Sequence, residues 1–423
     1  MLEALQLFSF SSVLLDFVFY YPLFMAYIWM IGGVYYYFHW ERKEGAPDDP
    51  PKLDVVPSVS ILIPCFDEED NVHDTVTWAL AQEYPDFEVI AINDGSTDRT
   101  GEILDEMQAA NPGLRVIHHA ENQGKAVGLR MGAVASRGEI LVCIDGDALL
   151  DPHATTWIAR HFVRGPRVGA VTGNPRIRTR STLLGKVQVG EFSAIIGLIK
   201  RTQRIYGRVF TVSGVVTGIR KTALHRIGYW STDMITEDID VSWALQRDHW
   251  DVRYEPNALC WILMPETLKG LWRQRIRWAQ GGVEVLLKYG SSLLSWRRRR
   301  MWGVPVEHTL SLVWAFLMAA TVVLWALGFV VDLPEAIRVS SLLPEWYGVL
   351  LGFTCLLQFA VSLGIDGRYE KGLGRYYYWM IWYPIAFWMI SVLTTVFAVP
   401  KALLRRRRGR AVWVSPDRGL KPT

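Results

Sequence analysis

Two acidic side chains separated by one glycine follow an apolar run in the middle of the chain. Asp145-Gly146-Asp147 comes directly after Ile140–Ile144, which has the composition of a buried strand. Two carboxylates at a strand end supply the oxygen ligands that Mg²⁺ and Mn²⁺ prefer, and such a cation in turn binds diphosphate. By itself the pattern is equally typical of a solvated acidic turn. Its place after a strand favours the cation site.

Three further polar clusters follow apolar runs. The sequence NDGS around Asp94 reads as a turn, and its carboxylate is suited to accept hydrogen bonds from a nucleobase edge. Asp67 occupies the corresponding place after the preceding strand-like run. Lys125 opens a helix after the letters NQG, and a lysine beside the free N–H groups of a helix start is suited to a diphosphate. The Walker spacing GxxxxGK is absent, so each cluster is either a site or an ordinary turn.

A third group of carboxylates lies in the letters TEDID, at 236–240. Acidic residues in the first turn of a helix stabilise it, which accounts for Glu237 or Asp240 without any chemistry. Asp238 has a second role open to it, because a sugar hydroxyl becomes a good nucleophile when a carboxylate takes its proton. We therefore predict that Asp238 is a general base.

The letters QRIRW, at 274–278, lie in a segment rich in tryptophan and arginine. A fixed guanidinium such as that of Arg277 is suited to a diphosphate leaving group, and the indole of Trp278 can stack on the apolar face of a sugar ring. Gln274 shares the same helical face. The alternative is an amphipathic helix whose arginines and tryptophans only anchor it to a membrane.

Strands alternate with helices through the region that carries these motifs. This alternation predicts right-handed crossovers and an α/β domain with a largely parallel, Rossmann-like mixed sheet. Ligands of such sheets bind beyond the carboxyl ends of the strands, where the polar clusters fall. The expected elements are strands over 59–64, 87–92, 114–118 and 139–144, and helices over 71–82, 100–110 and 125–136.

The composition indicates a membrane part beside the soluble one. Half of the 423 residues are hydrophobic, only 21% are charged, and 19 are tryptophan, which excludes a disordered chain, a collagen or a coiled coil. Four cysteines without a CxxC pair exclude a disulfide scaffold or a cysteine-rich zinc site. The net charge of +3 is small, and the arginine runs at 297–300 and 405–408 flank apolar stretches, which favours a membrane surface over nucleic acid.

The apolar segments set the predicted domain organisation. Runs over 13–38, 305–331, 347–365 and 376–399 are long enough to cross a bilayer. If the last run crosses, Arg405 lies opposite the soluble domain, against the charge bias, unless Pro384 breaks the run into a re-entrant pair. The predicted units are an N-terminal membrane helix (1–45), a linker (46–57), the α/β domain (58–262), amphipathic interface helices (263–300), a membrane region (301–403) and a basic tail (404–423).

Taken in this order, the motifs resemble the processive family-two glycosyltransferases, which include cellulose, chitin and hyaluronan synthases. The order is PCFDE (64–68), NDGS (93–96), DGD (145–147), TED (236–238) and QRIRW (274–278). The stretches 172–182, 197–207, 234–242, 261–282 and 413–419 look most like the bacterial synthases of poly-β-1,6-N-acetylglucosamine, a biofilm exopolysaccharide. The resemblance implies a GT-A domain and an inverting, processive transfer from UDP-N-acetylglucosamine to a growing polysaccharide.

The resemblance also implies residue roles. Asp67, Asp94, Lys125 and Arg277 would bind the donor, and Asp145 and Asp147 would bind the donor and a divalent cation, Mg²⁺ or Mn²⁺. Asp238 would be the base, while Glu237, Gln274 and Trp278 would lie at the acceptor. The implied product leaves alternatives open within the class, since chitin, hyaluronan or a lipid-linked sugar is made by similar synthases. A receptor that only senses a nucleotide needs neither a base nor a leaving-group clamp.

Finally, the resemblance implies a setting and a partner. The chain would be a multi-pass protein of the bacterial inner membrane with a cytoplasmic catalytic domain, in contact with lipids and not with nucleic acid. A small two-helix membrane subunit would accompany it, and cyclic di-GMP would activate the pair. Basic residues are candidate contacts for that dinucleotide, unless they are solvated or lipid-facing; they are Arg178, Arg180, Lys200, Arg201 and Arg204.

Overall fold

The computed structural model describes residues 10–293, 295–339, 341, 345–405 and 409. Most of the predicted basic tail, 404–423, lies outside the described residues. Eight strands form one mixed sheet, in the order β3-β2-β1-β4-β7-β6-β8-β5. The strands are β1 (Val59–Cys65), β2 (Phe87–Asp94), β3 (Leu114–His119), β4 (Ile140–Ile144), β5 (Leu149–Leu150), β6 (Val168–Ile177), β7 (Val216–Arg220) and β8 (Asp251–Ile262).

The first four strands are parallel neighbours, as their alternation with helices predicts. β1 pairs with β2 and β4, and β2 pairs with β3, all in parallel. β7 then runs antiparallel to β4 and β6, which makes the sheet mixed. Because parallel strands end at the same edge, the turns after β1, β2 and β4 meet there. The predicted fold class is confirmed. The three helices and four strands predicted between residues 59 and 144 lie within a few residues of their predicted limits.

One group of helices covers both faces of this sheet, and a second group lies outside it. Around the sheet they are α2 (Val72–Leu80), α3 (Thr100–Ala110), α4 (Lys125–Ala135), α5 (Ala154–Arg164), α6 (Leu183–Glu191), α7 (Ile199–Ile205), α8 (Lys221–Arg226) and α9 (Glu237–Arg247). A π-helical turn, Phe192–Leu198, joins α6 to α7. The others are α1 (Phe10–His39), α10 (Leu268–Leu293), α11 (Gly303–Leu327), α12 (Glu345–Asp366) and α13 (Trp388–Leu404).

The sheet is buried on both faces because the inner strands carry apolar side chains in succession. Ile61 and Ile63 of β1 lie in one core, and Leu62 lies in the other with Leu141 of β4. All of these side chains have an accessible surface of zero. Strands buried on both sides read as continuous apolar runs, which is why the sequence predicts them well.

Three helices in the described part of the chain are long and apolar enough to cross a membrane. Their apolar spans cover Val13–Lys43, Gly303–Leu327 and Tyr347–Asp366. The last predicted crossing, 376–399, is not a single helix: a 3-10 helix (Leu373–Trp382) leads into a π-helical turn (Tyr383–Phe387) and then α13. Pro384 lies inside the π-helical turn and has no N–H for a regular helix.

Residues 373–405 contact α6 and α10 as well as the long apolar helices α11 and α12. Near the start, the Tyr383 hydroxyl donates to Glu191 Oε1 of α6 at 3.4 Å. Further along, the ring of Phe397 lies 5.8 Å from that of Trp272 on α10. At the end, Arg405 Nη1 pairs with Glu284 Oε2 of α10 at 2.7 Å. These last two contacts are eight residues apart on the α13 side and twelve residues apart on α10, so α13 runs beside α10 for about 12–18 Å.

A buried ion cluster joins two of the apolar helices to the sheet. Arg201 of α7 is fully buried and pairs with Glu41, just after α1, at 2.6 Å and with Asp366, the last residue of α12, at 3.0 Å. Asp366 also accepts from Arg176 of β6 at 2.7 Å. Buried charges of this kind are tolerated only when each has its partner, so the cluster fixes the helix ends relative to the sheet.

Candidate active site

One cavity of about 450 Å³ brings the predicted chemical groups together. Asp145 and Asp147 lie at one wall and Asp238 at another, so the acidic motifs from distant parts of the chain face one space. Eight predicted site residues line it: Lys125, Asp145, Asp147, Glu237, Asp238, Gln274, Arg277 and Trp278. The cavity continues toward the membrane helices, where Trp29 of α1 and Glu307 and Ser311 of α11 line it.

Lys125 links the acidic motifs at the centre of the cavity. Its ammonium lies 2.5 Å from Asp145 Oδ1 and 3.0 Å from Glu237 Oε1. It also donates to the carbonyl oxygen of Gly214 at 3.2 Å. Burial alone would lower the pKa of Lys125, but the two carboxylates outweigh burial and raise it. The lysine is therefore a permanent cation at the first residue of α4, suited to a diphosphate.

Asp238 lies in the first turn of α9, where it faces the cavity. Burial, followed by the charge of the adjacent Glu237, raises the pKa of Asp238 to about 6. A carboxylate with that pKa is ionised near neutral pH yet is more basic than an ordinary aspartate. Glu237 differs because its salt bridge to Lys125 overcomes burial and lowers its pKa. The pKa values of these two neighbouring carboxylates are thus shifted in opposite directions, and Asp238, the more basic of the two, is the one suited to accept a proton.

Two glycines allow the backbone to approach this base closely. A side chain at Gly214 would place its Cβ 3.2 Å from Asp238 Oδ2. On the opposite side, a Cβ at Gly281 of α10 would lie 2.1 Å from Thr236 Oγ1, which is shorter than any real contact. Helix α10 therefore packs directly on the residues that carry the base, and only glycine fits at that crossing.

The QRIRW motif lies on α10, and its residues have different environments. Gln274, Arg277 and Trp278 line the cavity, as predicted. Gln274 Oε1 is buried and has no hydrogen-bond donor among the residues that the structure describes, which leaves it for a ligand. Arg275, which the sequence did not single out, pairs with Glu191 at 2.5 Å and lies 4.5 Å from the centre of the Trp278 ring. It fixes the indole by a cation–π contact.

Asp94 has a different place from the one predicted. Its side chain is fully buried and does not line the cavity. Its Oδ1 lies 2.7 Å from His119 Nδ1 and accepts from the backbone N–H of Gln123 at 3.1 Å, while Oδ2 accepts from Gly124 at 2.8 Å. The expected bond to a nucleobase stays a prediction, for which Oδ2, with a single partner among the described residues, keeps acceptor capacity. Asp94 instead fixes the loop that positions Lys125.

Asp67 also lies outside the cavity lining, in the turn after β1. Its Oδ1 accepts from the backbone N–H of Thr97 at 2.8 Å, and its own N–H donates to Ser96 at 3.1 Å. Its φ of +51° is in the left-handed region, which aspartate tolerates better than most residues. These bonds tie the turn after β1 to the turn after β2 at the sheet edge.

The five basic residues proposed for a dinucleotide are not solvated as a group. Lys200 and Arg201 are buried, which excludes the solvated or lipid-facing alternative for them. Arg180 pairs with Glu370, and Arg204 donates to the carbonyl oxygen of Val252 at 2.9 Å. Arg178 is half-buried. The sequence missed the position of Lys200, which lines the cavity, because its burial depends on helices from distant parts of the chain.

Asp145 and Asp147 suit a divalent cation whose remaining ligands come from a bound substrate. Among the described residues no cluster of three or more acidic, histidine or cysteine side chains is arranged to hold a metal alone. Asp145 and Asp147 provide two carboxylates in one cavity. Mg²⁺ is commonly held by one or two carboxylates together with substrate phosphates, so this donor set suits a cation that arrives with a nucleotide.

Comparison with known proteins places the chain. The family model described as "Glycosyltransferase like family 2" matches residues 57–281, which include all the acidic motifs and QRIRW. The chain belongs to glycosyltransferase family 2. A poly-β-1,6-N-acetyl-D-glucosamine synthase of Staphylococcus epidermidis is 39% identical to this glycosyltransferase over 416 residues, covering 96% of this chain and 98% of the relative. A synthase of the same name from Staphylococcus aureus strain MSSA476 is 39% identical over 405 residues, with the same coverage.

A solved structure supports the fold independently of sequence. A mannosyltransferase from Pyrobaculum calidifontis, in complex with GDP-Man and Mn²⁺, superposes with a TM-score of 0.59 at 18% identity. The match covers 92% of this glycosyltransferase and 99% of the other chain, so it extends beyond the sheet into the helical part. The GT-A fold is thereby confirmed.

Proposed function

We propose that this glycosyltransferase polymerises N-acetylglucosamine from UDP-N-acetylglucosamine into a β-1,6-linked chain. The synthases that share 39% of its residues over nearly the full length support the donor and the product. The observation that carries the proposal is the single cavity that holds Asp145, Asp147 and Asp238 together with Trp278. A nucleotide-sugar transferase needs these four groups in one place, whereas a nucleotide sensor does not.

The arrangement suggests how the transfer proceeds. Asp238 accepts the proton of the acceptor hydroxyl as its oxygen attacks the anomeric carbon of the donor, and UDP leaves from the opposite face. The Lys125 ammonium and the Arg277 guanidinium bind the departing diphosphate, whose negative charge grows in the transition state. Trp278 stacks on a sugar ring and Gln274 Oε1 accepts a hydroxyl hydrogen bond. One displacement inverts the anomeric centre, and no covalent enzyme intermediate is needed.

The cation belongs to the proposal as well. Asp145 and Asp147 would hold Mg²⁺ or Mn²⁺, which neutralises diphosphate charge when bound. Lys125 lies beside Asp145 and provides a second positive charge for the same group.

We infer that the product leaves through the membrane part, with the catalytic domain on the cytoplasmic side of a bacterial inner membrane. The continuation of the cavity to Trp29, Glu307 and Ser311 supports this, because a polar polymer crosses a bilayer only along a protein-lined path. The contacts of residues 373–405 with α6 and α10 support a last segment that lies along the membrane surface. The chain would then cross three times, with Arg405 on the catalytic side.

The proposal includes a small two-helix membrane subunit and activation by cyclic di-GMP. Burial removes Lys200 and Arg201 from a surface site for that dianion, so the prediction is restricted to Arg178, Arg180 and Arg204. Titration of detergent-solubilised protein with cyclic di-GMP, alone and with a co-expressed subunit, tests this part separately.

The decisive experiment measures product and by-product together. Purified enzyme receives labelled UDP-N-acetylglucosamine, UDP-glucose or UDP-glucuronate with a divalent cation, and any polymer is digested with a β-1,6-specific hexosaminidase. We expect UDP release and digestible polymer with the first donor only. The D238N variant should retain UDP binding and lose transfer. Polymer that only a chitinase digests, or a sugar transferred once to lipid, would overturn the proposed product.

A further inference from the structure

Lys200 is a buried lysine on the cavity wall that the mechanism above does not use. Its side chain is 5% exposed and lines the cavity on α7. Among the residues that the structure describes, no carboxylate lies within salt-bridge distance of its ammonium; its hydrogen bond goes to Thr172 Oγ1 at 3.1 Å. Charged or neutral, its amino group keeps at least one N–H donor beyond the one that Thr172 accepts, and a buried donor without an acceptor is costly, so this lysine in a binding cavity calls for a ligand with acceptor atoms.

The helix that carries Lys200 turns one face to the cavity. Ile196, Ile199, Lys200 and Gln203 line it, at the spacing of neighbours on one helical face. Gln203 donates to Glu307 Oε2 of α11 at 3.2 Å, so its polar group is already engaged. Lys200 is therefore the residue of this face whose donors are available between the base and the membrane helices.

The side-chain amino group of Lys200 can donate hydrogen bonds whether it is charged or neutral. It carries three N–H donors when charged, and Thr172 takes one. Burial lowers the pKa of Lys200 to about 7, while the charge of Asp238 acts in the opposite direction, so the two groups feel each other across the cavity. A neutral amine still carries two donors. The atoms that accept such bonds on a sugar are hydroxyl, ring and acetamide oxygens.

We propose that Lys200 is a positioning residue that holds the terminal sugar of the acceptor by hydrogen bonds to its oxygen atoms and so directs the attacking hydroxyl to Asp238. This proposal rests on the synthase activity proposed above. It assigns Lys200 to the acceptor and not to the donor, because Lys125 and Arg277 already provide the cations beside the acidic motifs.

The test compares UDP release with sugar incorporation. In K200M the donor site is intact, so we expect an unchanged KM for UDP-N-acetylglucosamine and continued attack by water on the donor. Loss of a hydrogen bond from a charged group costs about 1.5–3 kcal/mol, so the ratio of UDP released to sugar incorporated should rise about tenfold to a hundredfold. K200Q keeps a shorter donor and should give an intermediate ratio.

Two controls separate positioning from simple support of the fold. T172S keeps the hydroxyl that accepts from Lys200 and from the backbone N–H of Ser213 while it changes the packing beside the lysine, so its ratio should remain near that of the wild type. If T172S reproduces K200M, or if release and incorporation fall together in K200M, the proposal is overturned. If K200M is not recovered folded, K200Q decides alone, and a ratio equal to the wild type refutes it. Wild-type enzyme that makes no polymer refutes the proposed function instead.

Discussion

The pH dependence of sugar transfer tests the assignment of the base directly. Burial and the charge of Glu237 raise the pKa of Asp238 from 3.8 to about 6. Since one pKa unit corresponds to about 1.4 kcal/mol, the site disfavours the ionised base by about 3 kcal/mol. Only the ionised form accepts a proton, so activity is full above the raised pKa and is lost as the pH falls through it. Below about pH 6 the rate should fall about tenfold per pH unit.

The variant E237Q changes this profile in a defined direction. Removing the neighbouring negative charge lowers the pKa of Asp238, so the acidic limb moves to lower pH. Burial is the larger cause of the raised pKa and remains in the variant, so the limb should move by less than about one pH unit. E102Q removes an exposed carboxylate on α3, outside the cavity, and should leave the limb in place.

The assay follows incorporation of labelled sugar at saturating donor from about pH 5 to about pH 8, with activity regained on return to neutral pH as a check of folding. Two results would refute the reasoning. One is a wild-type rate that stays flat to the acidic end of the range. The other is an E237Q variant whose acidic limb in the pH–rate profile lies at higher pH than that of the wild type.

Three further predictions concern packing and the cation. R201M leaves the buried Glu41 carboxylate without the Arg201 cation and removes one of the two cations of Asp366, so it should reduce stability by about 3–5 kcal/mol. R226M removes an exposed pair worth at most about 1 kcal/mol. Thermal unfolding in detergent compares the two variants, and equal melting temperatures would contradict the buried cluster. G281A should lower turnover about tenfold or more by displacing the base, and G290A on the same helix, where a Cβ meets open space, should behave as wild type. D147N should raise the Mn²⁺ concentration for half-maximal activity at least about tenfold; an unchanged requirement would place the cation elsewhere.

Much of the catalytic domain could be predicted because local patterns decide it. Continuous apolar runs and regular alternation give the first four strands, and the polar turns after parallel strands must meet at one edge. The local patterns do not predict that Asp147 and Asp238 face one cavity, because about ninety residues separate them along the chain. Only the order of the motifs, which resembles that of a known family, suggests it. The structure confirms that they do.

The parts that sequence could not supply depend on distant partners. That Asp94 is fully buried and bonded to His119 and to the backbone of Gly124 depends on residues that only the fold brings to it. Arg201 looks like a surface cation until Glu41, which is 160 residues away, is placed against it. Hydropathy likewise identifies 376–399 as apolar, but it does not distinguish a helix that crosses the membrane from a segment that packs along α10.

The ion cluster around Arg201 also constrains how relatives of this protein can diverge. Its guanidinium serves Glu41 and Asp366 at once, and Asp366 is shared with Arg176. A neutral replacement of Arg201 leaves Glu41 without that cation in a dry interior, and loss of Glu41, Asp366 or Arg176 leaves the remaining buried charges with fewer partners, so single changes there are costly. Divergence there must proceed through compensating exchanges, which should make these four positions covary in an alignment although they lie far apart along the polypeptide.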